Sequence, residues 1–246
     1  AYEEVDMPTQ EQVDAWLPAF EPRQVLDPDE PVTIGAMVGP EAFMEVKALQ
    51  HYKQMLALDR IPEIAADFEA AFGRRSGGLV RHYRTEGAET IVVALGSVLG
   101  TIEEAVDELR EEGVPVGALG ISSFRPFPLD AVRDALQHAT QVVVLEKALA
   151  VGVGGIVSAN VRMALSGVKL HGATVIAGLG GRAITQASLR DMLVRAHAGE
   201  LEALSFLDLD TDLVARELER MGELRRSGPH AENILRDLGA VAHKAV

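Results

Sequence analysis

The chain has no cysteine among its 246 residues. That absence excludes disulfides, thiolate metal sites and cysteine-ligated iron–sulfur clusters within it, so any electron-transfer centre it serves must sit on another subunit. Positive charge is also scarce: 23 Lys and Arg stand against 37 Asp and Glu, a formal net charge of −14. A nucleic-acid partner would need a compensating basic patch, and a pair such as Arg225-Arg226 is too small to form one, so nucleic-acid binding is not expected. No apolar run approaches the roughly 20 residues needed to span a bilayer, and no signal-peptide pattern opens the sequence. A cytoplasmic location without membrane contact is therefore expected. The first residue is Ala1 rather than Met, which reads as an excised or processed piece of something longer.

The usual catalytic signatures are missing too. There is no Gly-x-Ser-x-Gly elbow and no P-loop. The histidines at 51, 82, 138, 171, 197, 230 and 243 form no HxxxH or HxH pair, and the carboxylates do not cluster, so no metal site is expected.

What the chain does have is an alternation of strands and helices from Arg84 to Arg182. Four short apolar runs, Thr90–Leu95, Val116–Ile121, Gln141–Leu145 and Ala173–Ala177, are rich in β-branched residues and lack period-2 alternation, as strands buried on both faces require. Helical segments separate them, which predicts βαβ crossovers and an α/β fold with a mostly parallel open sheet flanked by helices. The functional loops of such a sheet lie at the carboxyl ends of its strands. The spacing predicts a helix opened by Gly100-Thr101, with Thr101 and Glu104 as a capping box, and ended by Gly113. It predicts a second over Pro128–Leu136, a third opened by Gly154-Gly155, and a fourth over Thr185–Arg195 with Thr185 as cap.

The flanks differ in character. Residues 1–40 are punctuated by six prolines. Thr9 is placed to cap a helix from Gln10 to Leu17, Val32–Ile34 reads as a strand, and the rest reads as an extended arm needing a partner surface. Residues 41–72 are helical in period, with Pro62 predicting a break or two successive helices. The tail predicts helices over Asp210–Met221 and from Pro229 to about Lys244, the latter capped by Ser227 or started by its proline. The resulting division is 1–80 arm and connector, 81–198 α/β domain, and 199–246 helical extension.

The candidate chemistry lies in the loops. The turns Gly152-Val-Gly-Gly155 and Gly178-Leu-Gly-Gly181 each follow a buried strand, and backbone N–H groups at a helix start hold anions. Neither turn has the glycine spacing of the dinucleotide fingerprint. Tight turns for close helix–strand packing are the better reading, with Gly154 and Gly155 as weak anion candidates. Arg125, held out of the helical region by Pro126, suits a carboxylate or phosphate, or more readily an ion pair across a boundary; Arg182 carries the same two readings. Glu146, ending the third strand, suits proton transfer or, more commonly, a salt bridge or a cap to the next helix.

Tyr83–Thr101, Ser123–Pro128 and Gly178–Arg182, together with Leu26–Gly35 and Phe72–Arg74, resemble the C-terminal half of the alpha subunit of pyruvate-type 2-oxoacid:ferredoxin oxidoreductases. The resemblance covers about residues 5–198. It implies a domain like the C-terminal domain of transketolase, in an enzyme that oxidatively decarboxylates a 2-oxoacid and passes the acyl group to coenzyme A. It further implies thiamine diphosphate and Mg on a beta subunit and iron–sulfur clusters on a ferredoxin-like subunit. A gamma subunit and ferredoxin or NAD as acceptor complete the implied partners. No catalytic residue maps onto this chain, which alone is expected to be inactive and mainly structural. Arg125 and Arg182, with Gly154 and Gly155, are implied only as a border of the coenzyme A approach. Two other readings stand beside it: a self-contained α/β module binding a nucleotide or small molecule, and a sister enzyme for an aryl or branched 2-oxoacid with NAD as acceptor.

Overall fold

A computed structural model describes residues 5–31, 34–35, 37–223 and 230–240. The chain divides into two compact units, residues 1–205 and 206–246.

The first unit opens with α1 (Gln10–Trp16), where Thr9 forms the full reciprocal box. Its hydroxyl accepts from the Gln12 N–H and its own N–H donates to Gln12 Oε1 at 2.9 Å. Residues 17–31 then run exposed, without helix or strand. Helix α2 (Phe43–Phe72) is one continuous helix, contrary to the break expected at Pro62. The proline removes the hydrogen bond to the Leu58 carbonyl and crowds that group. No residue of α2 is buried, so the helix can adjust around the proline without disturbing a packed core. Trp16 stands edge-on to Phe68 and Phe72, each at 5.6 Å, joining α1 to the end of α2.

Next come β1 (Val80–Tyr83), β2 (Thr90–Ala94), α3 (Val98–Glu111), β3 (Val116–Ile121), α4 (Leu129–Leu136) and β4 (Gln141–Glu146). They are followed by α5 (Ile156–Ala164), β5 (His171–Ile176), a 3-10 turn (Leu179–Gly181), α6 (Gln186–His197) and β6 (Leu204–Phe206). The six-stranded sheet has the order β1-β3-β2-β4-β5-β6. Strand β2 pairs in parallel with β3 and β4, and β4 in parallel with β5. The expected mostly parallel sheet flanked by helices is the observed one.

Its β-branched runs lack alternation because helices cover both faces: α4 and α5 pack together on one, α3 and α6 on the other. Successive residues point to opposite faces. Ile91, Val93, Leu119, Val142 and Val144 accordingly join the core beneath α4 and α5. Opposite them, α3 buries Ile102, Ala105, Val106 and Leu109 at three- and four-residue steps. A fully buried Leu or Ile of this kind contributes roughly 1.5–3 kcal/mol.

Local details differ from the sequence expectations in ways that have physical causes. Helix α3 begins at Val98 with Ser97 as cap, so Gly100 and Thr101 lie inside it and form no capping box. Gly96, at φ 75°, reverses the chain straight after β2, and the Leu99 N–H already donates to the Gly96 carbonyl at 3.1 Å. The first turn is therefore closed before Thr101 is reached. Pro128 stands at the cap of α4, one residue outside it. Thr185 caps α6 as expected, accepting from the Ser188 N–H at 3.1 Å. Strands β1 and β6 were not anticipated. Val32 and Thr33 of the expected early strand lie outside the described residues.

The second unit contains α7 (Thr211–Glu223) and α8 (His230–Asp237). Glu217 of α7 is buried and receives Arg220 and His230, while Arg220 and Arg216 reach Asp237. The expected caps Ser227 and Pro229, and the stretch to Lys244 beyond residue 240, lie outside the described residues. Among the described residues no helix is long and apolar enough to cross a membrane.

Candidate functional site at the carboxyl ends of the strands

The chain leaves β2 toward β3 on one side, then crosses back to β4 on the other. The reversal makes a crevice outside the carboxyl ends of β2 and β4, where open α/β sheets receive ligands. Gly96-Ser97 and the segment 146–155 border this crevice directly. Beyond them stand 122–128 after β3 and 178–182 after β5.

Glu146 dominates the centre. Its side chain is 3% exposed. Oε2 accepts the N–H groups of Ile156 and Val157, both at 2.7 Å, and Oε1 accepts that of Ser158 at 2.8 Å. Three amides of the first turn of α5, which otherwise lack intrahelical partners, are thus filled by a carboxylate from the preceding strand. The positive end of the helix dipole adds to the attraction. Of the roles considered for Glu146, the structure shows the helix cap. Gly155 is required by this contact: an added Cβ would lie 1.9 Å from Glu146 Oε1. The helix start that follows Gly154-Gly155 is occupied by the chain's own carboxylate.

Between carboxylate and helix the chain makes a tight hairpin. Ala150 and Gly154 exchange N–H to carbonyl hydrogen bonds of 2.8 Å, and the Val153 N–H donates to the Ala150 carbonyl at 2.9 Å. Gly154, at φ 113°, occupies backbone space that a side chain would make costly. The tip presents Val151 and Val153 at 89% and 76% exposure, two apolar groups on a braced support.

Arg125 is exposed and built on an aromatic step. Its guanidinium carbon lies 4.1 Å from the centroid of the Phe124 ring, and Nη1 donates to the Phe124 carbonyl at 2.6 Å. Phe124 meets Phe127 edge-on at 6.2 Å, and the Ser123 hydroxyl donates to the Pro126 carbonyl at 3.0 Å. The Arg125 carbonyl accepts from Gln54 of α2 at 3.1 Å. Arg182 is exposed after the 3-10 turn. Strands β3 and β5 are separated by β2 and β4, so the two arginines stand on loops about 14 Å apart at ordinary strand spacing. They address separate points of the rim.

One cleft on this rim was invisible in the sequence. It measures about 580 Å³ and lies between the 75–77 linker, β1 and the ends of β2 and β3, with Arg75, Arg81, His82 and Ser122 among its walls. Arg81 pairs with Glu103 of α3. Gly96 and Leu99 bring the start of α3 to the same cleft, and that helix has neither a side-chain cap nor an acidic residue in its first turn. In a chain of net charge −14, this concentration of cationic and donor groups suits an anion. Among the described residues no group of His, Asp or Glu could hold a metal ion.

Residues 88–189 match the family model described as pyruvate:ferredoxin oxidoreductase core domain II. Pyruvate synthase subunit PorA of Methanothermobacter thermautotrophicus is 40% identical over 202 residues, 80% of this chain and 51% of that protein. Ketoisovalerate oxidoreductase subunit VorA of Pyrococcus horikoshii is 32% identical over 208 residues, 82% of this chain and 53% of that protein. A 2-oxoglutarate:ferredoxin oxidoreductase from Magnetococcus marinus, solved with 2-oxoglutarate, coenzyme A and succinyl-CoA, aligns with a TM-score of 0.38. Identity there is 18%, over 53% of this chain and 21% of that one. The chain spans about half the length of the curated relatives it matches.

The matched stretch comprises the parallel strands, α3 to α5 and the Glu146-capped hairpin. The basic cleft lies at its edge, with β1 outside the matched stretch. Sequence reasoning missed that cleft because Val80-Arg-His-Tyr83 carries no apolar run. The signal that would have found it is the concentration of Arg74, Arg75, Arg81, His82 and Arg84 in an otherwise acidic chain.

Proposed function

We propose that this chain is the second part of the alpha subunit of a thiamine-diphosphate-dependent, pyruvate-type 2-oxoacid oxidoreductase that forms acyl-CoA and passes electrons to ferredoxin. The observation that carries this reading is the 40% identity to a PorA subunit across 80% of the chain. Thiamine diphosphate and Mg are assigned to a beta subunit and the iron–sulfur clusters to a ferredoxin-like subunit, with a gamma subunit as a further partner. The absence of cysteine agrees with clusters lying elsewhere. Residues 81–198 serve as the scaffold domain, 1–80 as its connector and 199–246 as an extension. The exposed valine hairpin supports a subunit-contact role, since apolar groups on a rigid tip gain from burial against a partner. Arg125 and Arg182 are assigned to the border of the coenzyme A approach. The basic cleft extends that border for the phosphates.

The test is co-expression with the remaining alpha segment and the partner subunits, followed by pyruvate- and CoA-dependent reduction of ferredoxin. Activity that needs this chain supports the reading; a stable complex equally active without it overturns it. A branched substrate with NAD as acceptor is the second reading, favoured only by the 32% match to VorA. Parallel assays with pyruvate and ketoisovalerate, and with ferredoxin and NAD, decide between them. Micromolar NAD binding by the isolated chain would instead support the self-contained module. That outcome is disfavoured by the carboxylate already seated at the start of α5.

A further inference from the structure

Below the rim, on the flank of the sheet, α5 covers β4 but leaves the adjoining face of β5 open. The helix that follows β5, α6, packs on the opposite face with α3. The result is a trough of about 260 Å³, floored by β4 and β5 and walled by α5 and the 165–170 turn. Its walls are mostly apolar, with Val144, Val161, Leu165 and Leu170 among them.

Three polar side chains line it. Ser158 is 1% exposed, and its Oγ has no hydrogen-bond partner among the described residues. A buried hydroxyl without a partner is unusual in a native interior. Thr174 is likewise 1% exposed and accepts from Arg162 Nη2 at 2.9 Å. Arg162 lies four residues after Ser158 on α5, hence on the same side of the helix. It makes no ion pair among the described residues, although carboxylates outnumber cations in the chain. Arg162 itself is exposed, and the Glu146 carboxylate is engaged by three backbone N–H groups.

We infer that this trough is a binding site for a small aliphatic monocarboxylate. Its carboxylate is held by Arg162 together with the Ser158 and Thr174 hydroxyls, and its hydrocarbon body lies against Val161, Leu165 and Leu170. An apolar cleft with a few convergent polar groups is the ordinary form of a small-molecule site. This one falls just below the roughly 300–1,000 Å³ typical of drug-sized ligands, a size for an acid of a few carbons. The arginine fork selects carboxylate over alcohol or amide. This inference does not rest on the oxidoreductase reading.

Isovalerate, with isoamyl alcohol as its uncharged counterpart, is the probe for a titration of the full chain followed by amide NMR. Saturable shifts centred on Ser158, Arg162 and Thr174 with isovalerate, and none with the alcohol, are expected. Arg162→Gln should weaken binding about tenfold or more, the scale of one hydrogen bond to a charged group. Ser158→Ala should weaken binding while leaving the unliganded chain at least as thermally stable, because the hydroxyl it removes has no partner. Equal response to the alcohol, undiminished binding by Arg162→Gln, or no saturation at millimolar isovalerate would each overturn the site. A clear loss of unliganded stability in Ser158→Ala would do so too, since it would mean that the hydroxyl is already bonded.

Discussion

Glu146→Gln removes one charge and almost no volume from the centre of the rim. In the native chain two α5 amides converge on Oε2 and a third donates to Oε1. Glutamine offers a single carbonyl oxygen, so its amide nitrogen must face one of those N–H groups. The two bonds that survive become neutral, and the third is replaced by two opposed donors. Hydrogen bonds to charged groups contribute roughly 1.5–3 kcal/mol against 0.5–1.5 for neutral ones. Two weakened bonds and one lost bond therefore destabilise the first unit by about 3–5 kcal/mol, the scale seen when one partner of a buried charged network is removed. The assay is urea unfolding followed by circular dichroism, together with hydrogen exchange at Ile156, Val157 and Ser158. Those three amides should exchange much faster even where the global transition is still complete. A change under about 0.5 kcal/mol with unaltered exchange would refute the capping argument.

Gly155→Ala attacks the same contact from the other side: its backbone (φ −81°, ψ 148°) suits alanine, so the loss, again about 3 kcal/mol or more, comes from the collision with the Glu146 carboxylate and the Ser158 hydroxyl beside it and not from backbone strain. Thermal unfolding checks it, and near-native stability would mean that the carboxylate moves aside freely. In the second unit, His230 first, then Arg220, holds the Glu217 carboxyl below its ordinary value. A depressed carboxylate adds stability above its unfolded pKa and loses it as pH falls through the folded one. The α7–α8 pairing should therefore persist through pH 4.5 and loosen below it, and His230→Ala should raise the Glu217 midpoint in a carbon-detected NMR titration. Tyr83 donates to Asp107 Oδ2 at 2.7 Å, which, ahead of burial, raises the phenol's pKa. Its contribution is complete below the unfolded phenol value and fades as pH climbs to the folded one, so Asp107→Asn should bring Tyr83 ionisation to lower pH in ultraviolet titration. Val151→Lys, at a solvent-facing tip, should change the stability of the isolated chain by less than about 0.5 kcal/mol yet weaken assembly with partner subunits in co-purification. Unimpaired assembly would remove the hairpin from the subunit contact.

Strong local signals were legible in advance. Thr9 and Thr185 cap their helices because a hydroxyl three residues before a free N–H needs no distant partner. The parallel strands were legible because burial on both faces demands uninterrupted β-branched runs, as in Thr90–Ala94 and Val116–Ile121. Pro62 misled because proline's lost bond and crowding are tolerated where no buried packing fixes the helix, and no residue of α2 is buried. Thr101 misled because a glycine turn upstream had already closed the helix start. On the rim, Arg125 and Arg182 were visible as residues, but their separation depends on strand order, which no spacing encodes.

By itself, the order of residues determined the fold class and which loops would gather at the strand ends, since each follows from periodicity within a few neighbouring positions. Only the tertiary structure decided that β1 closes the sheet antiparallel beside β3. The tertiary structure likewise decided that Glu146 neutralises the start of α5, and that Arg162 and Ser158 share an open trough with Thr174. Each of these joins groups ten or more residues apart, and their proximity is set by how the layers pack and not by any local preference of the chain.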